Sequence, residues 1–186
     1  MTDGLGAALL NPAEALTIDV PGRTDSAVLV ALYRDRDGRL GTVLTRRRDE
    51  LPRHAGEISF PGGRRDPGDP DLIATALREA EEEVGLAAAA VRVVGALQPT
   101  PTIATGYAIY PVVGVIEPGR TWTPSAEEVA EVLELGLDDL RAGAQRRTIV
   151  RRGRPLRTDT YVVGDTLVWG ATARILADLL DRVPSG

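Results

Sequence analysis

The chain is 186 residues long and 43% apolar, enough for one substantial core and too short for two independent domains. It has no cysteine and a single histidine, His54, so disulfides, thiolate chemistry and a multi-histidine zinc site are excluded; any metal has to be held mainly by oxygen, which favours Mg²⁺ or Mn²⁺. A formal charge of −5 argues against a nonspecific nucleic-acid binder, although arginines cluster at 46–48, 64–65, 146–147 and 151–154.

The first twenty residues carry acids and a proline where a secretory signal would carry basic residues and an apolar run. Residues 1–24 are expected to form an N-terminal extension packing on a single domain that spans 25–186. No apolar stretch reaches the roughly 20 residues of a membrane span, so a soluble, cytoplasmic protein is expected. The segments 26–33 and 41–45 are rich in Val and Leu, and the turn signal Asp37-Gly38 between them predicts a hairpin. Further strands are expected at 91–98, 108–116, 129–135, 146–151 and 158–163. Helical periodicity is strongest at 71–84 and 169–182, with a shorter stretch near 137–142, and the alanine run at 87–90 prolongs or follows the first of these helices. Strands and helices mix without regular βα alternation, which predicts an α/β sandwich around a mixed sheet.

Pro70 and Asp71 make a plausible start for the helix over 71–84, and Gly85 a plausible end. At about 100° per residue, Leu72, Ile73, Ala76, Leu77, Ala80 and Val84 share one apolar arc. Arg78 and Glu82 fall outside it, Glu83 falls inside, and Glu79 sits at its edge. A Glu-rich helix is ordinarily a solvated acidic face, yet a solvated face does not point its glutamate at the core. Glu79 also has like-charge neighbours in Glu82 and Glu83 at i,i+3 and i,i+4, each costing about 0.2–0.5 kcal/mol. The acids crowd the C-terminal turns, where the helix dipole disfavours anions. Bound cations would offset all three penalties together, so a metal site is the stronger reading. Just upstream, Phe60-Pro61-Gly62-Gly63 supplies a loop whose glycines allow backbone to approach a ligand closely.

These residues resemble the Nudix box: Gly, five residues, Glu, seven residues, then Arg-Glu-U-x-Glu-Glu-x-Gly-U, with U a bulky aliphatic. The string Arg78-Glu79-Ala80-Glu81-Glu82-Glu83-Val84-Gly85-Leu86 fits apart from the small Ala80. Counting from Gly63, Asp69 stands in place of the first Glu, and eight residues separate it from Arg78. The departures resemble one branch of the superfamily, the coenzyme A diphosphatases. That likeness runs through Val43-Leu44-Thr45-Arg46-Arg47, Leu51, His54, Gly56, Phe60-Pro61-Gly62-Gly63, the Asp66 and Asp69 spacing, and Trp169-Gly170-Ala171-Thr172-Ala173. Arg48 stands where a small residue is usual, and Pro52 where an arginine is common, with Arg53 beside it; both departures bear on specificity.

The resemblance implies a Nudix-type α/β/α sandwich and a pyrophosphatase that uses Mg²⁺ or Mn²⁺. Glu79, Glu82 and Glu83 would ligate the metal, with the Gly62 carbonyl as a further ligand. Arg78 would orient a glutamate through a bidentate pair, its alternative being an ordinary helix ion pair. Glu82 is the first candidate for general base, with Glu128 and Glu131 behind it. Arg46, Arg47 and Arg53 are candidates for the substrate phosphates, as forked donors suit that task, and Arg47 leads because its position matches the family pattern. His54 is a further candidate for substrate contact. The expected partner is a coenzyme A-like nucleotide rather than nucleic acid or membrane, with a homodimer left open. Other substrates the same site admits are ADP-ribose, a dinucleotide polyphosphate or a nucleoside triphosphate, and a noncatalytic nucleotide-sensing module is the alternative of another class.

Overall fold

Val30 and Leu32 alternate along the chain with Ala27, Leu29 and Ala31, and all five are fully buried, so the strand that carries them has a core on each side. In the computed structural model, which describes residues 3–49, 56–102, 106–151 and 153–183, this is the central strand β1 (Thr24–Arg34). The elements before it are α1 (Asp3–Ala8) and α2 (Pro12–Ala15). After it come β2 (Leu40–Arg47), β3 (Ile58–Ser59), β4 (Gly62–Arg64), α3 (Leu72–Val84), a 3₁₀ turn (Ala88–Ala90), β5 (Arg92–Ala96), β6 (Thr100–Pro101) and β7 (Tyr107–Val115). The remainder is β8 (Val129–Gly136), α4 (Leu137–Ala142), β9 (Ala144–Arg151), β10 (Arg154–Val163), β11 (Thr166–Val168) and α5 (Gly170–Arg182).

β1 runs parallel to β7, from Thr24 opposite Tyr107 to Leu32 opposite Val115, and antiparallel to β2, with Leu32 opposite Thr42. Farther down its β2-side edge it pairs instead with β4, Ala27 opposite Gly63. β8 and β3 extend the sheet from β2, and β5 and β6 pair with β7, which gives a mixed sheet of eight strands. A smaller antiparallel sheet has the order β11-β10-β9.

One face of the large sheet is covered by α3, whose Leu72, Ala76, Ala80 and Val84 join Ala27, Leu29, Ala31 and Val43 in one core. The other face is covered by α5, with Ala173, Ile175, Leu176 and Leu179, together with Leu137 and Leu140 of α4 and Leu5 and Leu9 near the N-terminus. This is the expected α/β/α sandwich. The alanine run follows α3 as a separate 3₁₀ turn, because Gly85 ends the helix first. The short elements α1, α2, β3, β4, β6 and β11 carry no periodicity long enough to read in a sequence, and β10 begins at Arg154, four residues before its expected start. Among the described residues no helix is long and apolar enough to cross a membrane.

Candidate active site

α3 is fixed at both ends. The Asp71 carboxylate accepts from the Ala74 N–H at 2.8 Å and starts the helix. Gly85, at φ 72°, takes the left-handed conformation that favours glycine, and the Leu86 N–H returns to the Ala80 carbonyl at 3.3 Å. With the ends set, the apolar arc against β1 determines where each glutamate goes. Glu83 is only 5% exposed, Glu79 is largely covered, and Glu82 keeps 59% of its side-chain surface in solvent.

Glu79 lies against β4. A Cβ at Gly63 would fall 2.4 Å from the Glu79 carboxylate, so a side chain there would expel that carboxylate from its seat. Glu83 faces the preceding residue, and the Gly62 N–H donates to its carboxylate. Burial and then the charge of Glu79 push the Glu83 carboxyl up to about 8, with Glu128 adding to the effect while Arg47 and the Gly62 amide oppose it. Glu79 is also raised, by burial first; Arg78 opposes this, and Glu82 and Glu128 add to it.

Arg78 is the hub of the cluster. Its Nε and Nη2 make a bidentate pair with the buried Asp69, each at 3.0 Å, and its Nη1 meets Glu82 at 3.0 Å and Glu79 at 3.1 Å. Nη2 also donates to the Arg64 carbonyl at 3.1 Å. The bidentate partner is therefore Asp69, where a glutamate was expected, and the two glutamates receive single contacts. Asp69 is the residue whose role the sequence reading missed, although its position in the box pattern marked it. It accepts further from Thr75 Oγ1 and the Asp66 N–H, and Arg78 before all else holds its carboxyl well below the usual range.

A depressed carboxyl contributes stability above its unfolded value of about 3.9, and that stability is lost as pH falls below it. Asp69→Asn is expected to lower unfolding stability by about 2–3 kcal/mol at neutral pH, the scale of lost hydrogen bonds to charged groups. The variant should also show a smaller loss of stability on acidification below about pH 4 than the parent. Melts across acidic pH check this, and equal acid sensitivity in parent and variant would remove Asp69 as the anchor.

Strand alternation sorts the remaining candidates. Along β2, Val43 faces the α3 core and Leu44 the α5 core. Arg47 shares Val43's side, where it stands 3.5 Å from Glu128 and its charge acts on Glu83. Its Nε is buried without a hydrogen-bond partner among the described residues. Arg46 shares Leu44's side, bonded to Glu131 at 3.1 Å and to Thr166 Oγ1 at 3.3 Å. The structure thus brings Glu79, Glu82, Glu83, Gly62, Arg78, Arg47 and Glu128 together and leaves Arg46 and Glu131 on the opposite face. Arg53 and His54 lie outside the described residues. Of the other nearby arginines, Arg65 caps the Asp69 and Pro70 carbonyls, and Arg64 lies 5.9 Å over the Tyr107 ring.

The donor set suits a hard divalent cation: the side chains are all carboxylates, and Glu83 is buried, with burial as the largest cause of its raised carboxyl. Among the described residues, no three such side chains already stand at chelating positions, since Arg78 holds Glu79 and Glu82 toward itself. A cation would therefore compete with Arg78 for two carboxylates while neutralising the third.

Residues 23–153 match the NUDIX domain family. The protein named Uncharacterized Nudix hydrolase NudL from Citrobacter koseri is 42% identical over 159 residues, covering 84% of this chain and 81% of that one. Its namesake from Salmonella paratyphi B is 39% identical over 173 residues, covering 92% and 88%. Among solved structures, a MutT/nudix family protein from Enterococcus faecalis superposes with a TM-score of 0.55 at 15% identity over 89% of this chain and 63% of that one. The M. smegmatis Nudix hydrolase RenU gives 0.51 at 24% identity, over 65% and 75%. At these identities the structural likeness concerns the fold alone.

Proposed function

The chain belongs to the Nudix family and is a hydrolase of pyrophosphate bonds, and from that premise we propose that it cleaves coenzyme A or its derivatives to adenosine 3′,5′-bisphosphate and 4′-phosphopantetheine. The hydrolytic part of this reading is carried by one observation: Glu83, buried beside Glu79, lies in the field of Arg47 and against the Gly62 backbone. Left alone, Glu83 is neutral because it keeps its proton; a bound cation would take that proton's place and favour the ionised carboxylate.

Cleavage of a pyrophosphate requires charge neutralisation on the phosphate oxygens, an activated water and a stabilised leaving phosphate. Nudix hydrolases generally use divalent metals such as Mg²⁺ or Mn²⁺. Glu79, Glu82 and Glu83 would hold the ion here beside Gly62, and its positive charge supplies the neutralisation when bound. Arg78, fastened to Asp69, sets Glu79 and Glu82 in place. Arg47 offers a forked cation to the substrate phosphates. Glu82 remains the first candidate for general base, with Glu128, which faces the same carboxylates, ranking ahead of Glu131.

The substrate assignment rests on the resemblance at 43–63 and 169–173. Its two segments meet in space, where Thr172 Oγ1 donates to the Ile58 carbonyl at 3.0 Å, so α5 holds in place the segment that leads to Gly62 and Gly63. Hydrolysis of a panel of coenzyme A, dephospho-coenzyme A, ADP-ribose and a dinucleotide polyphosphate, with products identified, tests it. Coenzyme A is expected to be cleaved fastest. The dephospho form is expected to be poorer by the loss of charge-assisted hydrogen bonds of about 1.5–3 kcal/mol each. Coenzyme A left intact beside rapid ADP-ribose hydrolysis would overturn the substrate and leave the family chemistry standing.

A further inference from the structure

Beyond its base, where Tyr161 and Val163 of β10 join the core under α5, the ribbon formed by β9 and β10 stands apart from both cores. Ala144 opposite Tyr161 marks its base and Arg151 opposite Arg154 its tip, while β11 pairs only with Tyr161–Val163. From Gln145 to the tip the ribbon is therefore two-stranded, and among the described elements β9 packs substantially on β10 alone. Val150 is 70% exposed and Leu156 45%, and they are the large hydrophobic side chains most open to solvent among the described residues. Register puts them on opposite faces: Val150 stands across from Pro155, and Leu156 across from Ile149. A two-stranded hairpin with apolar residues on both faces and solvent on each is marginal by itself.

Charge singles out the same ribbon. Residues 144–159 hold six arginines and one aspartate, a net charge of +5, so the remainder of this −5 chain carries −10. A basic ribbon on an acidic body is complementary to another copy of that body, whereas a nucleic acid or an anionic membrane would be repelled by the rest of the chain.

We propose that the β9–β10 hairpin is an intersubunit arm, which docks through Val150, Leu156 and the exposed Arg146, Arg147 and Arg157 on the acidic body of a second copy of this chain. This inference is independent of the substrate. Light scattering and sedimentation of the full chain over a range of concentrations test it at low and high salt. The expected result is a dimer that weakens as salt rises. Arg146→Glu combined with Arg157→Glu should weaken it at least about tenfold, the shift expected when exposed complementary contacts are reversed. Val150→Ser combined with Leu156→Ser should weaken it as well, with an unchanged circular dichroism spectrum showing that the fold is kept. A chain that is monomeric at every concentration overturns the proposal, including one that binds heparin or anionic vesicles through these arginines. A dimer of equal strength in both double variants overturns it too.

Discussion

Glu83→Gln is expected to give a folded protein whose turnover is slower by on the order of 10²-fold or more, since even the outer partners of a metal act on a scale of about 10–100-fold. The substitution keeps the volume and removes the charge from the most deeply buried of the three acids. Its effect on stability runs the other way. Without metal, the folded protein holds the Glu83 proton up to about pH 8, whereas the unfolded chain releases it near about pH 4.3. Between those values the folded state binds more protons, so stability falls as pH rises, by up to about 1.4 kcal/mol per unit. Gln has no proton to lose. Without metal, the variant should therefore match the parent at about pH 4–5 and exceed it at about pH 8, as urea titrations at the two ends of that window would read. Full activity in the purified variant would end the metal-site assignment.

Removal of the metal is expected to abolish turnover, and excess chelator with readdition of Mg²⁺ or Mn²⁺ measures this directly. Glu79 and Glu83 both sit above their ordinary range, by burial first; the charge of Glu79 adds to this at Glu83, and the charges of Glu82 and Glu128 add to it at Glu79. A bound cation reverses that penalty and favours the ionised, folded form, so it should raise the melting temperature. The increment should grow as pH rises toward about 8, because less free energy is then spent on displacing the Glu83 proton. Turnover undiminished in excess chelator would contradict the proposed chemistry.

The helix that carries the acids was legible in the sequence because its ends and its face were each marked by chemistry: Asp71, Gly85, and an apolar arc with one glutamate inside it. The sandwich followed from strands long enough to show their pattern. Three things were hidden. Asp69 as the anchor of Arg78 depends on the loop before α3 folding back along the helix, to a residue nine positions on, which no periodicity reports. The separation of Arg46 from Arg47 needed the face of β2 to be known, together with the register shift that its pairing with β8 makes between these two residues. The ribbon's projection from the body could not be read at all, since alternation looks the same in a strand that covers a core and in one that covers nothing.

The connection between β2 and β3 leaves and returns through one clamp: the Arg47 N–H donates to the Glu57 carbonyl at 3.0 Å, and the Gly56 N–H to the Arg47 carbonyl at 3.2 Å. Glu79, Glu83 and Gly63 are all positioned from β1 and α3, on the far side of that clamp. Just past the clamp, the Arg48 N–H donates to the Glu128 carbonyl at 3.0 Å and its Nη1 to the Ala126 carbonyl at 2.9 Å. Of the two departures from the branch pattern, Arg48 is thus tied to the turn that carries Glu128, and Pro52 lies outside the described residues. A change at Arg48 would therefore be felt at the acids of α3 through Glu128, a coupling that makes a position of specificity answerable to the chemistry as well.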